Sequence, residues 1–599
     1  MQILDHKNTT LTVCQRFFIE KSVELLYMGS IDSYRIKLHN PITILQELKY
    51  CLTEFDKGRI KHFHTIKGSH KSGKVIVDEV ISLLSQDPSY IRYSSISKEY
   101  LTVLLNDLNE QNYKRLIPSI KMLLIDNENY IDDVFEGIET LINLNDCTFD
   151  SLRKIDISLN ILFSSLIKKG FSKGFLYKLL YGVFVHSLTN GKNFENHFQN
   201  LRIRLTTESC LHKVIFRIDT TPKVYDAISQ TQVAGIILTD NINSINLEGA
   251  RSITELAGFN ATLDIRKFIE CEVEAFDYLS ALKKARKQLS EYLDVINLGL
   301  SGEFLNIHNR VLVIDLRSPE RGAFQNNTNI LDGKYKAEQS HYRTFTNKIP
   351  SILNSNSIID ETKEKIKSAV RYLRLGNEST EIEHKFINYW IGLEYLFSNY
   401  ESNNTIERLK KHFINAHTIA YTKRNIYSFK KNFSQLSDLD KAKATTYTNI
   451  DDEFLKDKQF YEEVSTELLD DYPLLSYRAM KLKDWFFKSN SKPANATDYL
   501  NRHKENLEIH FTRIYRLRNE IIHDAAMNTN NQLIVSNLRY YLTFILNEMI
   551  DYLSNADMNG CSSIEDYFIS NELKLGNIQH QGYRLIDLLD VDCVIDFIT

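Results

Sequence analysis

The sequence predicts a mainly α-helical protein with one short β-containing stretch, and three observations carry that prediction. Only 8 Pro and 21 Gly occur in 599 residues, so few tight hairpins and few helix breaks are encoded. Apolar residues three and four apart recur over most of the chain, the period of a helix with one buried face. Short β-branched runs bounded by turn residues are confined to residues 205–335. A chain this long exceeds a single core and predicts roughly three or four domains.

Residues 1–204 are expected to form an N-terminal helical domain, with apolar periodicity clearest over residues 44–55, 130–144 and 155–167. One motif interrupts it, Gly68-Ser69-His70-Lys71-Ser72-Gly73-Lys74-Val75. It matches a phosphate-binding loop through Lys74 but places Val75 where the Mg²⁺-binding hydroxyl belongs. Residues 61–67 are too polar for the buried strand that normally precedes such a loop, so an ordinary basic turn is the better reading.

Residues 205–335 form a small α/β segment. Strands are expected over 213–218, 233–239, 266–276 and 310–316, with a long helix carrying Leu279, Leu282, Ala285, Leu289 and Leu293 after the third. The basic run Lys283-Lys284-Ala285-Arg286-Lys287 reads as a solvated helix face. Residues 318–350 are polar and read as a linker or an ordered loop.

A second helical bundle is expected over residues 336–558. One helix is expected to stop at Gly376, and Thr380 with Glu383 reads as a capping box for the next, which carries Trp390 and Glu394. Residues 406–419, 474–488 and 537–553 read as further helices, residues 420–470 as an insertion with weak helices of its own, and residues 559–599 as a separate tail.

Residues 511–525 draw attention within this bundle. Apolar residues at 511, 514, 517, 521, 522 and 525 fall on one arc of a helix, and Arg518 lands near the middle of it. A guanidinium on a buried face costs several kcal/mol unless it is paired or opens into a polar cleft. Asn519 and His523 share a side of the same helix, one turn apart. A buried Arg paired with a carboxylate on a neighbouring helix is the bland explanation.

Composition bounds the function. The hydrophobic share of 43% and charged share of 25% are those of an ordinary globular protein. A net charge of −4 argues against a protein that coats nucleic acid and leaves room for a local basic cleft. No basic segment followed by an apolar run opens the chain, and no stretch approaches the ~18 apolar residues of a membrane span. The 7 Cys are scattered without a C-x-x-C pair, which reads as reduced thiols in the cytoplasm, neither a disulfide framework nor a zinc site. On that reading Asn260-Ala261-Thr262 is incidental as a glycosylation triplet. No cofactor and no metal are expected.

Arg518-Asn519-Glu520-Ile521-Ile522-His523 resembles the Arg-x4-6-His signature of HEPN domains, including the Asn after the Arg. Residues 386–396, with Trp390-Ile391-Gly392-Leu393-Glu394, resemble the Trp-x-x-Leu-Glu helix of the ApeA-like branch of that superfamily. The resemblance covers roughly residues 355–555. It implies a C-terminal HEPN helical bundle and a metal-independent endoribonuclease acting in anti-phage defence. It further implies a homodimer whose two motif helices face each other across one site. Arg518 and His523 would be catalytic with Asn519 beside them. The sequence departs from HEPN toxins whose motif continues His-x-Tyr, because Asp524 and Ala525 follow His523 here.

The chemistry fits those residue types. Cleavage without a metal needs a proton taken from the ribose 2′-OH, a proton given to the 5′-oxygen, and charge stabilised on phosphorus oxygens. Histidine handles protons near neutral pH, and arginine offers a planar fork of donors for phosphate. Arg513 and Arg516 are expected to contact RNA phosphate along the helix. Glu394 is expected either to partner Arg518 or to tune the site. A phage-derived trigger would act on residues 1–335. Two other classes remain open: a non-catalytic HEPN module that binds RNA, nucleotide or protein, and a P-loop NTPase using Lys74.

Overall fold

The computed structural model describes residues 11–27, 36–58, 72–107, 110–144, 147–186, 193–229, 235–260, 265–300, 305–326, 339–379, 381–398, 405–444, 453–487, 496–524, 532–555, 560, 562–580, 586 and 589. The chain is mostly helical with a small antiparallel sheet. It divides into two compact units: Met1–Ser165 together with Gly333–Thr599, and Leu166–Asp332. This differs from the expected order of an N-terminal domain ending at 204 and a separate C-terminal bundle. Among the described residues no helix is long and apolar enough to cross a membrane.

The first part of the chain forms α1 (Val13–Leu26), α2 (Pro41–Asp56), α3 (Ser72–Gln86), α4 (Lys98–Asn106), α5 (Glu110–Asp126), α6 (Tyr130–Ile142) and α7 (Phe149–Lys169). Of the phosphate-loop motif, Gly68–Lys71 lies outside the described residues, and Ser72 opens α3. Asn40 caps α2 through a reciprocal bond with Thr43, and Pro41 occupies the first helical position, where its missing N–H costs nothing.

The second unit contains α8 (Lys173–Leu180), a π-helical turn at Tyr181–His186, α9 (Phe194–Thr206), β1 (Cys210–Thr220), α10 (Pro222–Ser229), β2 (Ile236–Thr239), α11 (Ala250–Asn260), β3 (Arg266–Ala275), α12 (Tyr278–Leu300), β4 (Leu305–Asp315) and β5 (Gly322–Asn326). The strands pair antiparallel in the order β2-β3-β1-β4-β5. Central β1 is covered on both faces: Val214, Phe216 and Ile218 pack with Ala281, Ala285 and Leu289 of α12, and Ile215 packs with Phe259 of α11. The four expected strands are present. β5 lies inside the segment read as a linker or an ordered loop, because it pairs through backbone groups while its side chains carry no β pattern. Within the basic run of α12, Lys284 is exposed and Arg286 is buried, so the run is only partly a solvated face.

The remaining helices are α13 (Gln339–Asn354), α14 (Asp360–Glu378), α15 (Ile382–Phe397), α16 (Thr405–Ser434), α17 (Asp438–Ala444), α18 (Lys458–Glu467), α19 (Pro473–Phe486), α20 (Ala496–Asp524), α21 (Gln532–Ser554) and α22 (Ile564–His580). Gly376 does not stop α14; it lies within it, where a Cβ would stand 2.3 Å from the Tyr389 ring of α15. Two carbonyls near the end of α14, those of Gly376 and Asn377, accept from the buried Lys385 ammonium at 3.1 Å each. The N-cap of α15 is Glu381, without a side-chain bond, and the expected capping box rests on Thr380, which lies outside the described residues. Gly376→Ala is therefore expected to lower stability by about 1–3 kcal/mol, through overpacking and not through a lost cap. Urea denaturation checks this, and an unchanged midpoint would refute the close-approach account.

Two further expectations are corrected by packing. Residues 420–470 are no insertion: Phe429 and Phe433 of α16 and Tyr461 of α18 belong to one buried cluster that also takes in Leu482 of α19. The tail is no separate piece, because Leu575, Ile586 and Leu589 join the same cluster and Phe568 stacks on Phe397 at 5.0 Å. Both misreadings share a cause. A buried aromatic helix with charges on its remaining face carries a weak periodic signal.

Charges join α1 to α19. Arg478 pairs with Glu24, Asp156 of α7 takes Lys21 at 3.3 Å and Lys481 at 2.6 Å, and the Leu474 N–H donates to Glu20 at 3.1 Å. Burial pushes the Glu20 carboxyl up to about 8, against the Leu474 N–H, Arg16 and Arg478, and burial draws the Arg478 guanidinium down to about 9. Cys14 and Cys147 are joined as a disulfide, a pair 133 residues apart that corrects the reading of all cysteines as reduced thiols.

Candidate functional site

α20 is a long helix that buries one face from Leu500 to Leu517. Leu500, Leu507, Phe511, Ile514 and Leu517 are buried along it. Phe511 meets Phe413 of α16 edge-on at 4.8 Å and Tyr541 of α21 at 5.2 Å. Beyond Leu517 the helix leaves the core. Ile522 is 46% exposed, so the apolar arc is not buried along its whole length; Tyr515, off that arc, is 36% exposed.

That corrects the expectation placed on Arg518. It lies three residues after Tyr515 and four before Ile522, on one helical stripe, and its side chain is half-buried. Its Nη1 donates to Asn519 Oδ1 at 3.1 Å. His523 belongs to the last turn of α20, and its side chain lies outside the described residues.

Glu394 does not join Arg518. Its Oε2 accepts from the Trp390 indole N–H at 2.8 Å, and the buried Trp390 ring lies 6.2 Å from that of Tyr515. The two segments singled out in the sequence, on α15 and α20, are thus brought side by side through Trp390 and Tyr515. Glu394 orients the indole.

Arg513 and Arg516 stand elsewhere than expected. Arg513 is 2% exposed and lies against α2 and α3. Its Nε donates to both oxygens of Glu47 at 3.1 and 3.0 Å, and its Nη2 donates to Glu47 Oε2 at 2.8 Å and also to Glu79. Arg516 shares Glu47 and reaches Cys51 Sγ at 3.0 Å. His39 Nε2 approaches Glu47 at 3.1 Å. Burial alone would raise the Glu47 carboxyl, but Arg513 and Arg516 outweigh it and hold the group well below the usual carboxylate range. Glu79 moves the other way, raised by burial, because it holds only a share of Arg513. These two arginines are occupied by carboxylates and are not offered to phosphate as expected. They fasten α20 to the N-terminal helices.

No family model, curated protein or solved structure matches this chain.

The sequence reading missed a polar cluster between α16, α20 and α21. His417 Nδ1 lies 3.0 Å from His503 Nε2, and His417 Nε2 lies 3.0 Å from the Tyr540 hydroxyl, which also accepts from Arg424. Tyr421 stacks on His503 at 3.7 Å. The only signal for it was the extension of the apolar period back from Phe511 through Leu507 to Leu500, which places His503 on the same helix.

Proposed function

We propose that this chain is a metal-independent endoribonuclease of the HEPN type, with Arg518 and His523 as its catalytic pair and Asn519 positioning them. What supports the reading is the place of Arg518, at the half-exposed end of α20, where its Nη1 donates to Asn519 Oδ1. In the reaction the ribose 2′-oxygen attacks the adjacent phosphorus, its proton passes to imidazole, and the 5′-oxygen leaves with a proton. The Arg518 guanidinium stabilises charge on the non-bridging oxygens.

One histidine cannot act as base and acid in a single step, so the active form is a homodimer. Tyr515 and Ile522, exposed on the same stripe as Arg518, would meet their copies across a two-fold axis. An anti-phage role in the cytoplasm, with cellular RNA as substrate and a phage-derived trigger on residues 1–335, completes the reading. Engagement of Arg513 and Arg516 by carboxylates removes two phosphate contacts that a nuclease would use, and so favours a second reading, a non-catalytic HEPN module that binds RNA, nucleotide or protein.

The test is cleavage of RNA by purified protein in excess EDTA. The expected products carry a 2′,3′-cyclic phosphate or its hydrolysis product. Binding without cleavage would select the second reading, and activity that vanishes in EDTA and returns with Mg²⁺ would overturn the mechanism.

A further inference from the structure

At the start of β1 the antiparallel register gathers three ligand-type side chains that lie far apart in sequence. Cys210 and His212 are two residues apart on β1 and therefore point to one face, and Asp315 of β4 is the register partner of His212. Their ligand atoms all lie within 4.8 Å of one another. Cys210 Sγ is 3.6 Å from Asp315 Oδ1 and 3.9 Å from His212 Nε2. Two ligands at ~2.3 Å (sulfur) and ~2.0 Å (oxygen) from one tetrahedral ion stand roughly 3.5 Å apart, so the thiol and carboxylate already have the required separation.

The imidazole is prepared in the same way. His212 is 2% exposed, and its Nδ1 lies 3.0 Å from the Cys210 carbonyl oxygen, which can only accept. Nδ1 therefore carries the proton and the lone pair is left on Nε2, while the Cys210 sulfur lies 3.7 Å from Nδ1 and 3.9 Å from Nε2. Among the described residues that sulfur is the only hydrogen-bonding partner of Nε2. A backbone carbonyl on one ring nitrogen with a ligand role for the other is the usual outer-shell arrangement of metal-bound histidine.

The carboxylate is also braced from outside. Arg317 donates to Asp315 through its backbone N–H at 2.9 Å, its Nε at 3.1 Å and its Nη2 at 2.8 Å. A simple ion pair would need neither the thiol nor the buried imidazole. A thiol, an imidazole and a carboxylate together select a borderline-soft divalent ion over Mg²⁺ or Ca²⁺, which take oxygen ligands.

We propose that Cys210, His212 and Asp315 form a binding site for a divalent cation of the zinc class, with Arg317 orienting the carboxylate and a fourth position left to water. Binding replaces the thiol proton, which is released to solvent, so the site is neutral with a thiolate, a carboxylate and a neutral imidazole around M²⁺. It joins β1 to β4 near the edge of the apolar layer under α12. It belongs to a different compact unit from α20, and no step of RNA cleavage runs through it.

The full-length protein, stripped of metal, is titrated with Co²⁺ as an optical stand-in for Zn²⁺. The expected result is one ion per site with a thiolate-to-cobalt charge-transfer band and the ligand-field bands of four-coordination. Both are lost in Cys210→Ser and in His212→Ala. Arg317→Ala keeps the bands and weakens binding by about 10- to 100-fold. Zn²⁺ should also shield Cys210 from alkylation, read by peptide mass spectrometry on the unmutated chain, which keeps the test valid should a variant misfold. A charge-transfer band that survives in Cys210→Ser, or alkylation of Cys210 indifferent to Zn²⁺, would overturn the site.

Discussion

On the proposed mechanism, Arg518→Ala and His523→Ala are each expected to lower RNA cleavage by about 10²-fold or more, because charge stabilisation and proton transfer are each worth at least that much. Neither substitution should unfold the protein. Arg518 sits where α20 has left the core, and the buried anchors Phe511, Ile514 and Leu517 are untouched. The informative experiment mixes the two inactive chains. A site assembled from two subunits regains part of its activity when an Arg518→Ala chain pairs with a His523→Ala chain. A site within one chain does not. Circular dichroism on each variant separates lost chemistry from lost fold, and two variants that cleave like the unmutated chain would end the nuclease proposal.

The second large effect is on stability. Glu47→Gln is expected to cost about 3–5 kcal/mol at pH 7, since it leaves the buried Arg513 and its neighbour Arg516 facing a neutral amide. The pH dependence follows from the direction of the Glu47 shift. Its folded-state value is depressed, so its contribution is complete above the unfolded carboxylate range. That contribution is lost as pH falls below about 4, through that range towards the folded value. The gap between Glu47→Gln and the unmutated protein is therefore widest near neutrality and closes in acid. Replacing both Glu47 and Arg513 by apolar residues should recover only part of the loss, because Arg516 and Glu79 then lose a partner in turn. Urea denaturation at pH 7 and pH 3.5 measures both, and a gap of equal size at the two values would contradict the assignment.

Local patterns were legible in the sequence and long-range partners were not. The Trp390 helix, the Arg518 helix and four strands of the sheet follow from apolar spacing and β-branched runs, because those signals act over a few residues. What Arg513 touches could not be read, since Glu47 precedes it by 466 residues and no local pattern marks the pairing. Gly376 shows how one residue type misleads: a glycine near a helix end reads as a stop, yet here it gives Tyr389 room. Ile522 was placed on the buried arc because periodicity reports which face a residue is on, not how far along the helix the core extends. Cys210, His212 and Asp315 were invisible as a group because strand register, not spacing, brings them together.

The division of the chain has a consequence for its synthesis. Glu24 and Glu47 leave the ribosome long before the arginines that pair with them. At about 5–20 residues per second, the 466 residues between Glu47 and Arg513 take roughly 20 to 90 s to make. During that interval the α1 and α2 surfaces wait with their partners unmade. An apolar seam would be adhesive for all of that time. A seam of carboxylates stays hydrated until Arg478, Arg513 and Arg516 arrive, and α20 is locked in place only in the last stage of translation.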